Sequence, residues 1–138
     1  MVGETLNYVQ SEGLSDRIKF TGYITDAELR ALYASCAVCV YPSLYEGFGL
    51  PPLEAMACGA PVITSNVPSL TETVGNAALV VAPTDVQKLA QSIVEMLRDD
   101  EQRTHFSRVG LERASQFTWE RTARLTLDVY SKAIHRSA

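Results

Sequence analysis

Two short runs, Ala37-Val38-Cys39-Val40 and Pro61-Val62-Ile63-Thr64, are apolar without alternation. A strand wetted on one face carries polar residues at every second position. An unalternating run instead fits a strand covered on both faces, as in parallel sheets wrapped by helices. Helix signals rather than hairpin turns follow both runs. Alternation of strand and helix selects an α/β fold, a Rossmann-like parallel sheet with flanking helices.

The remaining elements are placed by their own signals. Residues 4–12 read as a helix with Leu6 and Val9 on one side and Gly13 closing it. Arg17-Ile18-Lys19-Phe20 reads as a short strand ending in the turn Thr21-Gly22-Tyr23. Thr25-Asp26-Ala27-Glu28 is a capping box, and the helix it opens carries Leu29, Leu32 and Tyr33 on one stripe. A helix begins near Leu50 and closes at Gly59. Ser69-Leu70-Thr71-Glu72 reads as a second capping box, opening a short helix stopped by Gly75-Asn76. A last strand covers 78–81, ended by Pro83. From Asp85 the chain turns helical, first with Leu89, Ile93, Met96 and Leu97 on one face. A helix over 101–115 follows, weakened at Gly110. The last helix runs from Thr118 with Trp119, Ala123, Leu127, Tyr130 and Ile134 as a stripe. The expected organisation is one domain over 1–138, with 85–138 its C-terminal helices. Val2-Gly3-Glu4 reads as the end of a strand running into a helix. The fold is therefore expected to lack its first strand and loop.

Composition excludes several classes. Of 138 residues, 46% are apolar and 20% charged, which argues against disorder. A net charge of −4 gives no basic face for nucleic acid. No apolar run approaches the roughly 20 residues of a membrane span. Met1-Val2-Gly3-Glu4 has no leader pattern. The expectation is a cytoplasmic domain. Cys36-Ala37-Val38-Cys39 has C-x-x-C spacing, but it enters an apolar strand rather than opening a helix. Cys36, Cys39 and Cys58 read as reduced, buried thiols.

The chemistry concentrates in Tyr41 to Gly59, YPSLYEGFGLPPLEAMACG. Pro51-Pro52 mark the first turn of a helix. Glu54 falls about one turn in, and Glu46 sits ahead of it on the loop from the preceding strand. Between them the N–H groups of Gly47, Phe48, Gly49 and Leu50 are expected to be open. Such groups at a helix N-terminus suit a phosphate or sugar oxygens. A carboxylate can accept both hydroxyls of a vicinal diol. A ligand with a sugar, a diphosphate and a ribose matches that order of groups. Glutamate near a helix start or a Gly-x-Gly turn is, taken singly, more often structural.

Glu46 to Glu54 resembles the E-x7-E motif of retaining, nucleotide-sugar-dependent glycosyltransferases, most closely family 4 with the GT-B fold. Phe20-Thr21-Gly22-Tyr23, YPSLYEGFGLPPLEAMACGAPVITSNVPSLTE, Gly75-Asn76-Ala77-Ala78 and Phe117-Thr118-Trp119-Glu120 are similar to the C-terminal half of such enzymes, so the likeness covers nearly the whole chain. It implies the C-terminal, donor-binding half of a GT-B fold ending in a helical segment. Glu54 would accept hydrogen bonds from the donor ribose. Glu46 would face the transferred sugar as the catalytic carboxylate. The amides of Phe48, Gly49 and Leu50, beside Gly47, would contact the sugar and diphosphate. Gly22, Tyr23 and Ile24 would border the nucleobase. The implied reaction transfers a hexose from a nucleoside diphosphate sugar to a saccharide or lipid acceptor with retention. It needs no metal and no other cofactor.

The basic pair that grips the diphosphate in that family has no counterpart here, since Arg17, Lys19 and Arg30 fall on segments that should not reach the phosphates. The acceptor-binding N-terminal domain has none either. The chain alone is expected to be incomplete and inactive, and the full enzyme to be cytoplasmic or peripheral at the inner membrane face. A different reading is a non-catalytic nucleotide-binding or interaction fragment. A GT-B epimerase fits the EGFGLPPLE wording less well. His105 and His135 read as surface residues, Ser43 and Ser65 as lacking triad partners, and Glu72 as the box partner of Ser69.

Overall fold

Three strands, β1 (Cys39–Tyr41), β2 (Val62–Ser65) and β3 (Leu79–Val81), form a parallel sheet of order β1-β2-β3. Cys39 pairs with Val62 across the first junction and Ile63 with Leu79 across the second. The computed structural model describes residues 2–136. Met1, on which the leader reading begins, and residues 137 and 138 of the expected domain lie outside them. The helices are α1 (Val2–Ser11), α2 (Asp26–Ser35), α3 (Leu50–Ala57), α4 (Pro68–Val74), α5 (Val86–Arg98), α6 (Asp100–Ala114) and α7 (Trp119–Arg136). α3 and α4 are the crossovers between consecutive parallel strands, as the alternating pattern predicts.

β2 is buried at every position and divides two cores. Val62 joins Leu53, Met56, Val74 and Ala114 on one face. Ile63 joins Val81 and Met96 on the other, where Leu89, Ile93 and Phe106 pack. The two faces follow from the two-residue period of a strand. β1 departs from expectation, because it is half-buried rather than covered on both faces. It is an edge strand among the described residues, so the polarity pattern reported its faces but not its open side.

Other expectations are corrected. Arg17 to Phe20 forms no strand: Arg17 and Ile18 donate their N–H groups back to Leu14, and Ile18 and Phe20 are exposed. A short β-prone run needs a neighbour to pair with, and none lies beside it among the described residues. The chain from Val2 is already helical, not the end of a strand. Ser69 is not a cap; α4 starts from Val67 with no side-chain cap. On α2 Leu29 and Tyr33 are half-buried, whereas Leu32 faces out. On α5 Met96 is buried as expected, but Leu97 lies off the buried stripe and Ser92 is buried beside it. The Thr25 capping box is present, with Thr25 Oγ1 accepting from the Glu28 N–H and Glu28 accepting from the Thr25 N–H at 2.8 Å.

Gly110 is a packing device rather than a weak point. It is buried, and a Cβ there would lie 3.3 Å from Met56 Cγ. Met56 is itself inaccessible, so the absent side chain is what lets α6 approach α3. Gly110→Val is expected to lower the unfolding free energy by about 2 kcal/mol, the overpacking cost exceeding the gain in helix propensity. Urea denaturation checks this; unchanged stability would mean that α3 and α6 do not meet there.

Candidate functional site

The loop between β1 and α3 leaves the C-terminal end of the sheet, where ligand clefts of open α/β folds form. α3 begins at Leu50, as the two prolines predict, with Gly49 as its N-cap at φ 92°. Its buried face is Pro52, Leu53, Ala55 and Met56. That periodicity turns Glu54 outward, where it is exposed. Glu46 is half-buried ahead of the helix. The two carboxylates thus lie on either side of the α3 amino end, as read from the sequence.

Glu46 is held at both oxygens. The Tyr41 phenol donates to Oε2 at 2.6 Å and the Gly47 N–H to Oε1 at 3.0 Å. These bonds favour the ionised form. They hold the Glu46 carboxyl below the usual glutamate range, Tyr41 contributing most and Gly47 next. The same bond pushes the Tyr41 phenol upward.

The N–H groups are less open than expected. Those of Gly47 and Phe48 are turned to the Glu46 carboxylate. Proline at 51 and 52 has none to offer. The N–H groups of Gly49 and Leu50 have no acceptor in the chain among the described residues. Gly49 is buried and Leu50 exposed, so the Leu50 N–H is the donor that the helix end presents outward.

α4 fastens this loop from behind. Ser69 Oγ donates to the Glu46 carbonyl at 2.6 Å, and Thr73 Oγ1 to the Phe48 carbonyl at 2.5 Å. α4 is fastened in turn to α6. Arg113 donates through Nε to the Thr73 carbonyl at 2.8 Å and through Nη2 to the Glu72 carbonyl at 2.6 Å, and its guanidinium lies 4.9 Å from the Phe117 ring centre. Sequence reasoning missed Tyr41, Ser69, Thr73 and Arg113. For Ser69 the signal was present but assigned to a cap. For Arg113, 40 residues from Thr73, there was no local signal.

The turn Gly22-Tyr23-Ile24 precedes α2, which packs on α3, the helix that carries Glu54. Gly22 has φ 63°, Tyr23 is 97% exposed and Ile24 is half-buried. The cysteines are free thiols. Burial pushes Cys36 upward and Cys39 up to about 11, so both stay protonated at neutral pH and the redox reading of C-x-x-C has no support. Burial, then the proximity of Cys39 and Glu54, pushes the Tyr33 phenol up to about 12. His105 and His135 are exposed, as expected.

A cavity of about 570 Å³ opens between the back of the Gly47–Phe48 loop and α7. It excludes both Glu46 and Glu54. Its hydroxyls are engaged within the chain: those of Ser69 and Thr73 on the loop, those of Thr122 and Thr126 on the carbonyls of Thr118 and Thr122. Its wall is mixed, with Glu72, Arg113, Gln116 and Arg121 beside apolar residues, and Arg113 and Arg121 are bonded within the chain; the carboxylates with the α3 amino end remain the better ligand site. The α7 stripe is exposed throughout, Trp119 at 84%. No helix among the described residues is long and apolar enough to cross a membrane.

Known proteins share this sequence pattern and this fold. The family model for glycosyl transferases group 1 matches residues 3–113. The O-antigen chain mannosyltransferase B of Escherichia coli is 49% identical over 113 residues, covering 82% of this chain and 30% of that protein. Sucrose-phosphate synthase from Thermosynechococcus elongatus superposes with a TM-score of 0.86 at 37% identity, over 96% of this chain and 34% of its own. Anabaena HepE, solved in complex with UDP-glucose, gives a TM-score of 0.86 at 27% identity, over 95% and 36%. The chain spans about a third of the length of these relatives.

Proposed function

The chain belongs to the group 1 glycosyl transferases, and on that premise we propose that it forms the donor-binding side of a hexosyl transfer. The donor is a nucleoside diphosphate sugar and the acceptor a saccharide or lipid. The anomeric configuration is retained. The observation that carries the reading is the pair Glu46 and Glu54 on either side of the α3 amino end, with the unpaired N–H of exposed Leu50 between them. Glu54, outermost on the helix, takes the ribose hydroxyls. Glu46, kept ionised by Tyr41, takes the transferred hexose and stabilises positive charge developing at its anomeric carbon. The turn Gly22-Tyr23-Ile24 borders the base. Binding of UDP-glucose by a structural relative supports this class of donor.

No metal enters the reading, because the helix end and basic groups outside this chain neutralise the diphosphate. The acceptor is bound by an N-terminal domain, and the exposed α7 stripe is the face that domain covers. The setting is cytoplasmic, with the intact enzyme peripheral at the inner membrane face.

Titration calorimetry with UDP-glucose and GDP-mannose tests the assignment. Glu54→Ala is expected to weaken the nucleoside diphosphate and its sugar conjugate alike, by about 10- to 100-fold for lost hydrogen bonds to a charged group. Glu46→Ala is expected to weaken only the sugar conjugate. Equal affinities in wild type and both variants would remove the two carboxylates from the donor site.

A further inference from the structure

The Glu46 carboxylate has its acceptor capacity divided in a specific way. An ionised carboxyl offers about four lone-pair positions, two on each oxygen. Tyr41 occupies one on Oε2 and Gly47 one on Oε1. The Phe48 N–H is also turned to this carboxylate, so about one position is left open, and the plane of the group is fixed by bonds to both oxygens. The Tyr41 bond, at 2.6 Å from a neutral hydroxyl to an anion, belongs to the strong charge-assisted kind.

Tyr41 is itself anchored. It ends β1, its carbonyl accepts from Thr64 Oγ1 at 3.0 Å, and it pairs with Thr64 in the sheet register. The phenol therefore projects from the sheet rather than from the loop, and ties the position of Glu46 to the rigid part of the fold. Ser69 does the same for the Glu46 backbone.

We propose that Tyr41 is a positioning residue for the donor sugar: its phenol clamps the Glu46 carboxylate so that the acceptor position left open faces a hydroxyl of the transferred hexose. This rests on the donor reading above. A clamped carboxylate loses less side-chain freedom on binding than a free glutamate does. The other titratable groups on the surrounding elements are Cys39 on β1, Tyr45 on the loop, Glu54 on α3 and Glu72 on α4; the causes acting on Glu46 are the hydrogen bonds of Tyr41, Gly47 and Phe48.

Tyr41→Phe removes the hydroxyl and keeps the ring. In the chain with carbon-13-labelled glutamate, assigned through Glu46→Gln, the wild-type Glu46 carboxyl is expected to titrate below the ordinary glutamate range. In Tyr41→Phe it should titrate higher, toward that range. Affinity for UDP-glucose should fall about threefold to tenfold while affinity for UDP holds, the loss of one net hydrogen bond. In the wild-type chain itself the Tyr41 ring resonances should move at the Glu46 midpoint, a readout independent of any variant's folding. Tyr41 resonances that ignore the Glu46 titration, an unshifted midpoint in Tyr41→Phe, or equal losses for UDP and UDP-glucose would each overturn the clamp. Absence of all nucleotide binding by a folded wild-type chain would overturn the donor reading beneath it.

Discussion

Gly49→Ala is expected to remove about 3 kcal/mol of stability and to abolish whatever donor affinity the chain has. Gly49 holds φ 92°, a left-handed conformation that costs an alanine about 1–2 kcal/mol. The added Cβ would also lie 2.5 Å from Leu70 Cδ2. A leucine tip on a surface would swing away, but Leu70 is fully buried at the centre of α4. Overpacking of that kind costs about 1–3 kcal/mol more. Relief by moving the loop outward would break the Thr73 bond to the Phe48 carbonyl and turn the N–H of Leu50 off the ligand. Gly47→Ala is the control, since Gly47 has no positive φ and open space around its Cβ. It should unfold within about 0.5 kcal/mol of wild type, as open surface positions do. Urea denaturation of the two variants side by side decides the matter. Equal stabilities would mean that α4 does not pack beneath the loop.

That contrast marks what could be read from residues alone. β2 was legible because a centre strand is determined by its own unalternating run, Val62 to Ser65, buried at each position. The start of α3 was legible because proline chemistry is local. So were Glu46 and Glu54, whose spacing and flanks lie in one continuous segment. Arg17 to Phe20 failed for the opposite reason: a strand exists only through its neighbour, and propensity does not supply one. Ser69 failed because the same residue type serves as a helix cap or as a long-range donor. Its partner, the Glu46 carbonyl, lies 23 positions away. Gly47 and Gly49 look alike in the motif, yet only Gly49 has a left-handed φ and Leu70 beneath it. The two carboxylates and the helix start were legible as local groups, while the scaffold beneath them was not.

The far end of that scaffold gives the second large effect. Arg113→Met is expected to destabilise the chain by about 2–3 kcal/mol and to loosen the donor loop, although Arg113 touches neither Glu46 nor Glu54 in any recorded hydrogen bond. The Glu72 and Thr73 carbonyls belong to the last turn of α4, where no further helical N–H is available. The guanidinium satisfies both and sits at the negative end of the helix, so its loss removes two charge-assisted bonds and a favourable dipole contact. Methionine keeps most of the apolar stem and its packing, which isolates the polar contribution. Arg113→Lys should recover less than half, because an ammonium is a point donor and cannot span two carbonyls as a planar fork does. With its C-terminal turn released, α4 holds the loop less firmly through Ser69 and Thr73, and exchange of the α4 amides and the Gly47 amide should accelerate together. Hydrogen exchange followed by mass spectrometry reads both. If α4 exchanges faster while residues 46–49 keep wild-type protection, the loop is held from the β1 side by Tyr41 alone and the connection through α4 is wrong.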